Sequence, residues 1–178
     1  MITSSMTVYA KWTVTPGQPY FVGDLGPSGA GIVFYTDAAG VHGLEVAFGE
    51  MVAPWYNGTV LDTLAHDTGL GKGKANTAAI VKAQGAGTYA AASCADYRGG
   101  GLSDWFLPSQ DEVKAMYTYL YKRVPSLGEF SSDVYWTSTQ DGGPYWFDLA
   151  EGIAFFSSGD SLHYDTKAEF RFRPVREF

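Results

Sequence analysis

Two strings frame the informative part of this chain: Val134-Tyr135-Trp136-Thr137-Ser138-Thr139 and Phe170-Arg171-Phe172-Arg173-Pro174-Val175-Arg176. Both alternate or crowd β-branched and aromatic residues, which is the signature of strands. Between them lies a stretch without sustained period, carrying Tyr145, Trp146, Phe147, Phe155, Phe156, Asp160, His163, Tyr164 and Asp165. A segment framed by regular structure, irregular inside and aromatic without an apolar face, reads as displayed surface. Its side chains point to recognition more than to catalysis.

Working outward, the same frame has strand signals near the start and helix signals in the middle. Gly31-Ile32-Val33-Phe34-Tyr35 and Gly43-Leu44-Glu45-Val46-Ala47 predict a hairpin around the turn Asp37-Ala38-Ala39-Gly40. Residues 49–75 show no period and read as loop. Asn76 is a candidate cap for a helix over Thr77–Gln84 with Gly85 as its stop, and Tyr89–Tyr97 continues as a second helix. Ser109-Gln110-Asp111-Glu112 is a capping box, followed by Val113, Met116, Tyr117 and Leu120 on one apolar stripe. Helices in the middle and strands at both ends predict an α+β fold whose terminal strands meet.

Composition sets the outer limits. At 178 residues with 22 Gly and 16% aromatics, the chain suits one domain of short strands and tight turns. Its net charge of -7, with only 12 Lys+Arg, disfavours nucleic acid as a partner. One cysteine, Cys94, rules out an internal disulfide and a zinc cage. No apolar run approaches the ~18 residues of a membrane helix. The start of the chain lacks a charged n-region and an apolar h-region. The chain is therefore either cytosolic or a piece of a longer exported protein.

The exported reading gains support from Met6-Thr7-Val8-Tyr9-Ala10-Lys11-Trp12-Thr13. This string resembles the closing strand of a small β-rich repeat of Listeria and Bacteroides surface proteins, although an ordinary alternating strand explains it equally. Thr15-Pro16-Gly17-Gln18-Pro19 is a linker signature. The expected division is residues 1–19 as the end of a preceding surface repeat plus linker, and 20–178 as the main domain.

Several further strings resemble one family in order and spacing. They are Gly23-Asp24-Leu25-Gly26-Pro27-Ser28-Gly29, Gly73-Lys74-Ala75-Asn76-Thr77, Gly100-Gly101-Leu102-Ser103-Asp104-Trp105-Phe106-Leu107-Pro108-Ser109, Tyr135-Trp136-Thr137-Ser138-Thr139 and Arg173-Pro174-Val175-Arg176. The chain resembles the C-type-lectin-like domain of the formylglycine-generating-enzyme type. That domain also ends bacterial collagen-like adhesins and forms the variable proteins of diversity-generating retroelements. The resemblance implies a C-type lectin fold with two main helices, short antiparallel sheets and long loops. It also implies a variable region over residues 134–178, rewritten at adenines of asparagine codons. Such codons cannot yield Trp, Glu, Lys, Gln or Met, so Trp136, Gln140, Trp146, Glu151, Lys167 and Glu169 would be framework. The positions open to variation, and therefore to ligand binding, are Tyr145, Phe147, Phe155, Phe156, Ser158, Asp160, Leu162, His163, Tyr164 and Asp165.

The enzyme reading finds little footing. The chemistry of the formylglycine-generating enzyme needs paired cysteines, and Cys94 stands alone among small residues, where a thiol is usually an inert apolar group. His42, His66 and His163 show no metal-ligand spacing, no Gly-x-Ser-x-Gly elbow is present, and Gly73-Lys74 lacks the Ser or Thr of a phosphate loop. Asp104 beside Trp105 lacks the neighbouring amides and carboxylates of a calcium-dependent lectin site. No cofactor and no metal are expected.

Tyr and His surrounded by Ser, Gly and Asp match the composition of paratopes. Trp136, Trp146, Leu149, Phe170 and Phe172 are expected mainly in the core, the last two by alternation with Arg171 and Arg173. Phe155 and Phe156 are adjacent, so in a strand one of the two rings must face outward. The chain is accordingly expected to be a non-enzymatic receptor or adhesin domain, monomeric and surface-displayed or secreted, with an unknown protein or other macromolecular ligand. The alternatives are an adhesin for a fixed polysaccharide, using Lys72, Lys74 and Lys82, and an enzyme of the formylglycine-generating type.

Overall fold

A computed structural model describes residues 18–123, 125–143 and 146–178. The predicted hairpin forms as β1 (Gly31–Thr36) and β2 (Gly43–Ala47), antiparallel with a bulge between Val33 and Tyr35. The chain then adds β3 (Met51–Pro54) inside the stretch read as loop. It turns through helices α1 (Gly73–Gln84), α2 (Ala90–Ala95) and α3 (Gln110–Met116), the last widening into a π turn over Tyr117–Tyr121. A short α4 (Pro125–Gly128) precedes β4 (Val134–Gln140), β5 (Leu149–Ala154), β6 (Ser161–Asp165), β7 (Glu169–Phe172) and β8 (Val175–Glu177).

These strands make two sheets, one of order β1-β2-β8 and one of order β3-β7-β4-β5-β6. The pairings are antiparallel except β4 with β7, which run parallel where Tyr135 meets Arg171. As the central strand, β4 is buried along its whole length, so a hydroxyl on it finds a partner only inside the protein; the two Thr hydroxyls do so, and that of Ser138 has none among the described residues. Thr137 donates to the Glu151 carbonyl at 2.9 Å, and Thr139 to that of Asp67 at 3.1 Å.

The five-stranded sheet carries a core on each face. One side holds Tyr135, Ile153 and Phe155 against Phe34, Val46, Met116 and Leu120. The other holds Trp136, Ala150 and Phe172 against Trp55, Ile80, Tyr89 and Cys94. The two-residue period of β4 and β7 assigns these side chains to opposite faces. Phe170 and Phe172 thus lie beside Trp136, as their alternation with Arg171 requires.

That alternation stops where the chain changes sheets. Arg173-Pro174 bridges β7 in one sheet and β8 in the other, and Arg173 is buried at the crossing instead of facing outward with Arg171. Trp146, also expected in the core, is 54% exposed because it belongs to the turn before β5 and not to the strand. Asn76 does not cap α1. The helix begins earlier, at Gly73, and Asn76 instead donates from its first turn to the Asp67 carbonyl at 2.6 Å. Gly85 does end it, its N–H reaching the Val81 carbonyl at 3.0 Å.

The expected α+β C-type lectin fold is corrected to a sheet-rich architecture of two sheets with few, short helices. Among the described residues the longest helix has 12 residues, while the C-terminal frame alone contributes five strands. The glycine strings that carried the resemblance follow from local packing. At Gly100, for example, φ is 65° and a Cβ would lie 2.3 Å from the Ser28 carbonyl oxygen. Turn geometry of this kind recurs in unrelated folds and does not fix a lineage.

Candidate functional site

The last residue of β4 organises a platform at one end of the five-stranded sheet. Gln140 is buried, and its side chain turns into two neighbouring loops. Its Oε1 accepts from the Thr63 N–H at 2.8 Å and the Thr63 hydroxyl at 2.7 Å. Its Nε2 donates to the carbonyls of Leu61 at 2.8 Å and Phe147 at 2.9 Å. The Gln140 backbone N–H reaches the Ala65 carbonyl at 2.8 Å, and its own carbonyl faces His66 Nδ1 at 3.2 Å. A buried amide with both oxygen and nitrogen doubly engaged rigidifies every segment that it touches.

The clamp presents an unusual residue. Leu64 has φ 62° and is 75% exposed, with its N–H held by Asp62 Oδ1 at 2.8 Å. A branched apolar side chain seldom adopts this left-handed conformation, and here no burial compensates for it. Next to it, His66 Nε2 meets Asp62 Oδ1 at 2.9 Å. Across the platform, Trp146 stands out of the turn that links Gly143 to Leu149. Gly143 makes room for that indole, since a Cβ there would fall 2.3 Å from Trp146 Cδ1.

Edge strand β6 supplies the third side. His163 Nδ1 lies 3.0 Å from Asp141 Oδ2, and its Nε2 lies 3.5 Å from Glu151 Oε1. With the ring protonated, both contacts are ion pairs. Glu151 also accepts from Gln110 Nε2 and, at 2.9 Å, from the Ser161 hydroxyl, which ties β6 to the start of α3. The Ser161 hydroxyl is thereby directed to a carboxylate and makes no bond to His163. Among the described residues, no group of three or more His, Cys, Asp or Glu is arranged to hold a metal ion.

The structure divides the residues expected to bind. Phe147 (half-buried), His163 (exposed) and Asp165 (exposed) lie at or beside the platform, while Tyr164 (half-buried) points to the other side of β6. Tyr164 packs on Phe170 at 4.8 Å between ring centroids, and burial pushes its phenol up. Tyr145 lies outside the described residues. Phe156, Ser158 and Asp160 are exposed, but they sit beyond the opposite end of β5, a strand of six residues and so ~20 Å away. Leu162, half-exposed, faces the other side of β6 from His163.

Phe155 is a correction. It is 1% exposed, with its ring centroid 4.3 Å from that of Tyr135 and 5.2 Å from that of Tyr117. The Phe155 N–H continues the β4–β5 ladder to the Asp133 carbonyl at 2.8 Å, so its ring follows the inward side and Phe156 takes the outward one.

Sequence reasoning missed most of the platform. Gln140 and Trp146 read as framework and Trp146 also as core, while Leu64 lay in an unpatterned loop. Nothing in the spacing of Asp62, His66, Asp141 and His163 announces that the fold gathers them. No family model and no curated protein matches the chain. Among solved structures it is similar to a fimbrial protein from Bacteroides ovatus, with a TM-score of 0.55 and 12% identity over 82% of this chain. The match covers 43% of that chain, so the sequence spans under half of its neighbour's length. This likeness concerns the fold. It overturns the resemblance to the formylglycine-generating-enzyme type of C-type-lectin-like domain, and with it the membership among retroelement variable proteins and collagen-like adhesins.

Proposed function

We propose that this chain is a non-enzymatic, surface-displayed binding domain of adhesin type, whose contact area is the platform clamped by Gln140. Residues 20–178 form the binding module in this reading, and 1–19 the end of a preceding repeat with its linker. Leu64 and Trp146 are the apolar anchors; Asp62, Asp141, His163 and Asp165 edge them.

One observation carries the proposal. An apolar side chain is held outward in a conformation that costs free energy, in a loop that a buried hydrogen-bond hub fixes on both sides of it. Backbone strain that burial does not repay is characteristic of sites that contact a ligand. The fimbrial neighbour supports the exported, surface-associated part of the reading, since that protein is itself named for a surface appendage.

The test is adhesion. Beads coated with the domain are expected to be retained on at least one member of a panel of immobilised matrix proteins, cell-surface proteins and glycans. The double variant Leu64→Asp, Trp146→Ala should lose that retention by about thirtyfold, the equivalent of one strong anchor at ~2 kcal/mol. Its melting temperature should stay within about two degrees of the parent, because both side chains are exposed. Retention of the double variant equal to that of the parent would remove the platform from the binding function.

A further inference from the structure

The two sheets end in four edge strands, β1, β8, β3 and β6. Three of them are protected. Residues 23–26 run along the outer side of β1, with the Gly23 N–H on the Val33 carbonyl at 2.9 Å and the Val33 N–H on the Asp24 carbonyl at 3.0 Å. Beside β8, Phe106 and Val175 exchange both backbone bonds at 2.9 Å. In β3, the Ala53 carbonyl takes the Trp136 indole N–H at 3.1 Å, and Pro54 has no N–H to offer.

The fourth edge is open. β6 pairs with β5 in unbroken register, from Ser161 opposite Ile153 to Asp165 opposite Leu149, and it contains no Pro, no Lys and no bulge. The bonds at its two ends fix its parity. The Asp160 carbonyl accepts from the Ala154 N–H at 3.1 Å, and the Thr166 N–H donates to the Asp148 carbonyl at 2.8 Å. Even-numbered residues therefore bond to β5, and odd-numbered ones turn their N–H and C=O groups away from it. Among the described residues, no hydrogen bond reaches the N–H or C=O of Ser161 or His163, or the Asp165 N–H. The Asp165 carbonyl holds the Ala168 N–H at 2.9 Å.

The side chains of β6 are unfinished in the same way. Leu162 stands opposite Gly152, which offers no side chain to pack on, and it is 48% exposed. Tyr164 lies on the same face, its ring leaning over Gly152, where a Cβ would meet it at 3.0 Å.

We propose that β6 pairs antiparallel with β6 of a second copy of this chain, about a twofold axis through His163. The parity of the strand allows this register, since odd-numbered residues then meet odd-numbered ones and exchange about four to six backbone hydrogen bonds. Each Leu162 faces the partner subunit's Tyr164 and gains the cross-strand neighbour that Gly152 denies it. Each Ser161 faces the partner subunit's Asp165, so no two carboxylates stand opposite each other. The two His163 rings meet at the axis, each held by Asp141 and Glu151 of its own chain. The contact is isologous and joins two five-stranded sheets into one. A strand of five residues buries less than the ~800 Å² per partner of a standard stable complex, so the pairing is weak, with a dissociation constant of about 0.1–1 mM. It does not rest on what the platform binds, and association and adhesion are read separately.

Sedimentation equilibrium of the full chain between about 20 µM and 1 mM tests the pairing. The average mass should rise from the 19.3 kDa of one chain towards twice that value. Leu162→Lys, a charge at an exposed position of the edge, should weaken association at least about tenfold. Disulfide trapping in a glutathione buffer reads the register, and the buried Cys94 does not interfere. His163→Cys should give a covalent dimer, because the Cα atoms of such a pair lie about 5.5 Å apart. Ser161→Cys should not, because its own twofold mate is displaced four positions along the strand, about 13 Å. A chain that stays monomeric at ~1 mM, association unaffected by Leu162→Lys, or equal trapping of the two cysteine variants overturns the proposal. The first of these results leaves the edge to a strand from a different protein.

Discussion

At the scale of single residues, the protein separates display from support. Leu64 lies outside the ordinary backbone regions with its side chain in solvent, while Gln140 beneath it makes hydrogen bonds through every polar group it has. If the left-handed conformation is retained for a ligand, relieving it should stabilise the free protein. Leu64→Asn places a residue that tolerates this conformation at the same point without the entropy cost of glycine. It is expected to raise unfolding free energy by about 0.5–1 kcal/mol in urea denaturation, while weakening adhesion. A loss of stability would mean that the leucine side chain is packed, and that the strain argument fails. Gln140 and Leu64 also show the limit of reading residues singly. Gln looks like framework and Leu like core, yet their placement assigns them the reverse of a bland role.

At the scale of elements, the capping box at the start of α3 does more than end a helix. Ser109 and Glu112 close the box as the sequence pattern requires, and the Glu112 carboxylate also accepts from the Gly71 N–H at 2.8 Å. It thereby fastens the loop before α1 to the start of α3. Burial pushes this carboxyl up, against the backbone N–H groups that pull it down. Glu112→Ala should cost roughly 2–3 kcal/mol, because the buried Ser109 N–H and the partly buried Gly71 N–H lose a charged acceptor. Glu112→Gln should keep part of that stability, since its amide oxygen still accepts. Chemical denaturation of both variants checks the ranking; equal stabilities would show that the carboxylate contributes only volume.

At the scale of the whole molecule, charged groups tie three strands of the five-stranded sheet together. Glu50 leads into β3, Arg171 belongs to β7, and Asp133 and Tyr135 flank the start of β4. Burial alone would raise the Glu50 carboxyl, but hydrogen bonds from Tyr135 and Ser131, with the Arg171 cation, hold it below its ordinary 4.5. A carboxyl lowered in the folded state stabilises above its ordinary value, and that contribution is lost as pH falls through the folded value. The melting temperature should therefore hold down to about pH 5 and drop between about pH 5 and 3. Glu50→Gln should melt lower at neutral pH and show a shallower acid fall. Parallel acid limbs for variant and parent would take Glu50 out of the network.

The same scale shows why legibility was uneven. The β1–β2 hairpin, the Ser109 box and the alternation of Phe170 and Phe172 depend on neighbours a few residues away, so periodicity and turn chemistry revealed them. Phe155 and Phe156 were legible as one inward and one outward ring, but not as to which was which. That choice depends on the Asp133 carbonyl across the sheet. The platform joins residues near 62, 140 and 163; no local pattern links positions so far apart. The family resemblance failed for a related reason. Glycine turns and strand edges are local solutions shared by many folds, and agreement among them did not carry the topology.

By itself, the sequence determined the composition-level facts and the local ones: an acidic chain with one cysteine, strands framing the C-terminal region, a capped helix and tight turns. Only the tertiary structure decided that these strands divide between two sheets, that Arg173 is buried where the chain crosses, and that Leu64 rather than Phe155 faces solvent. The reason is physical. Backbone preference acts over a few residues, whereas the burial of a side chain depends on what the rest of the chain brings against it.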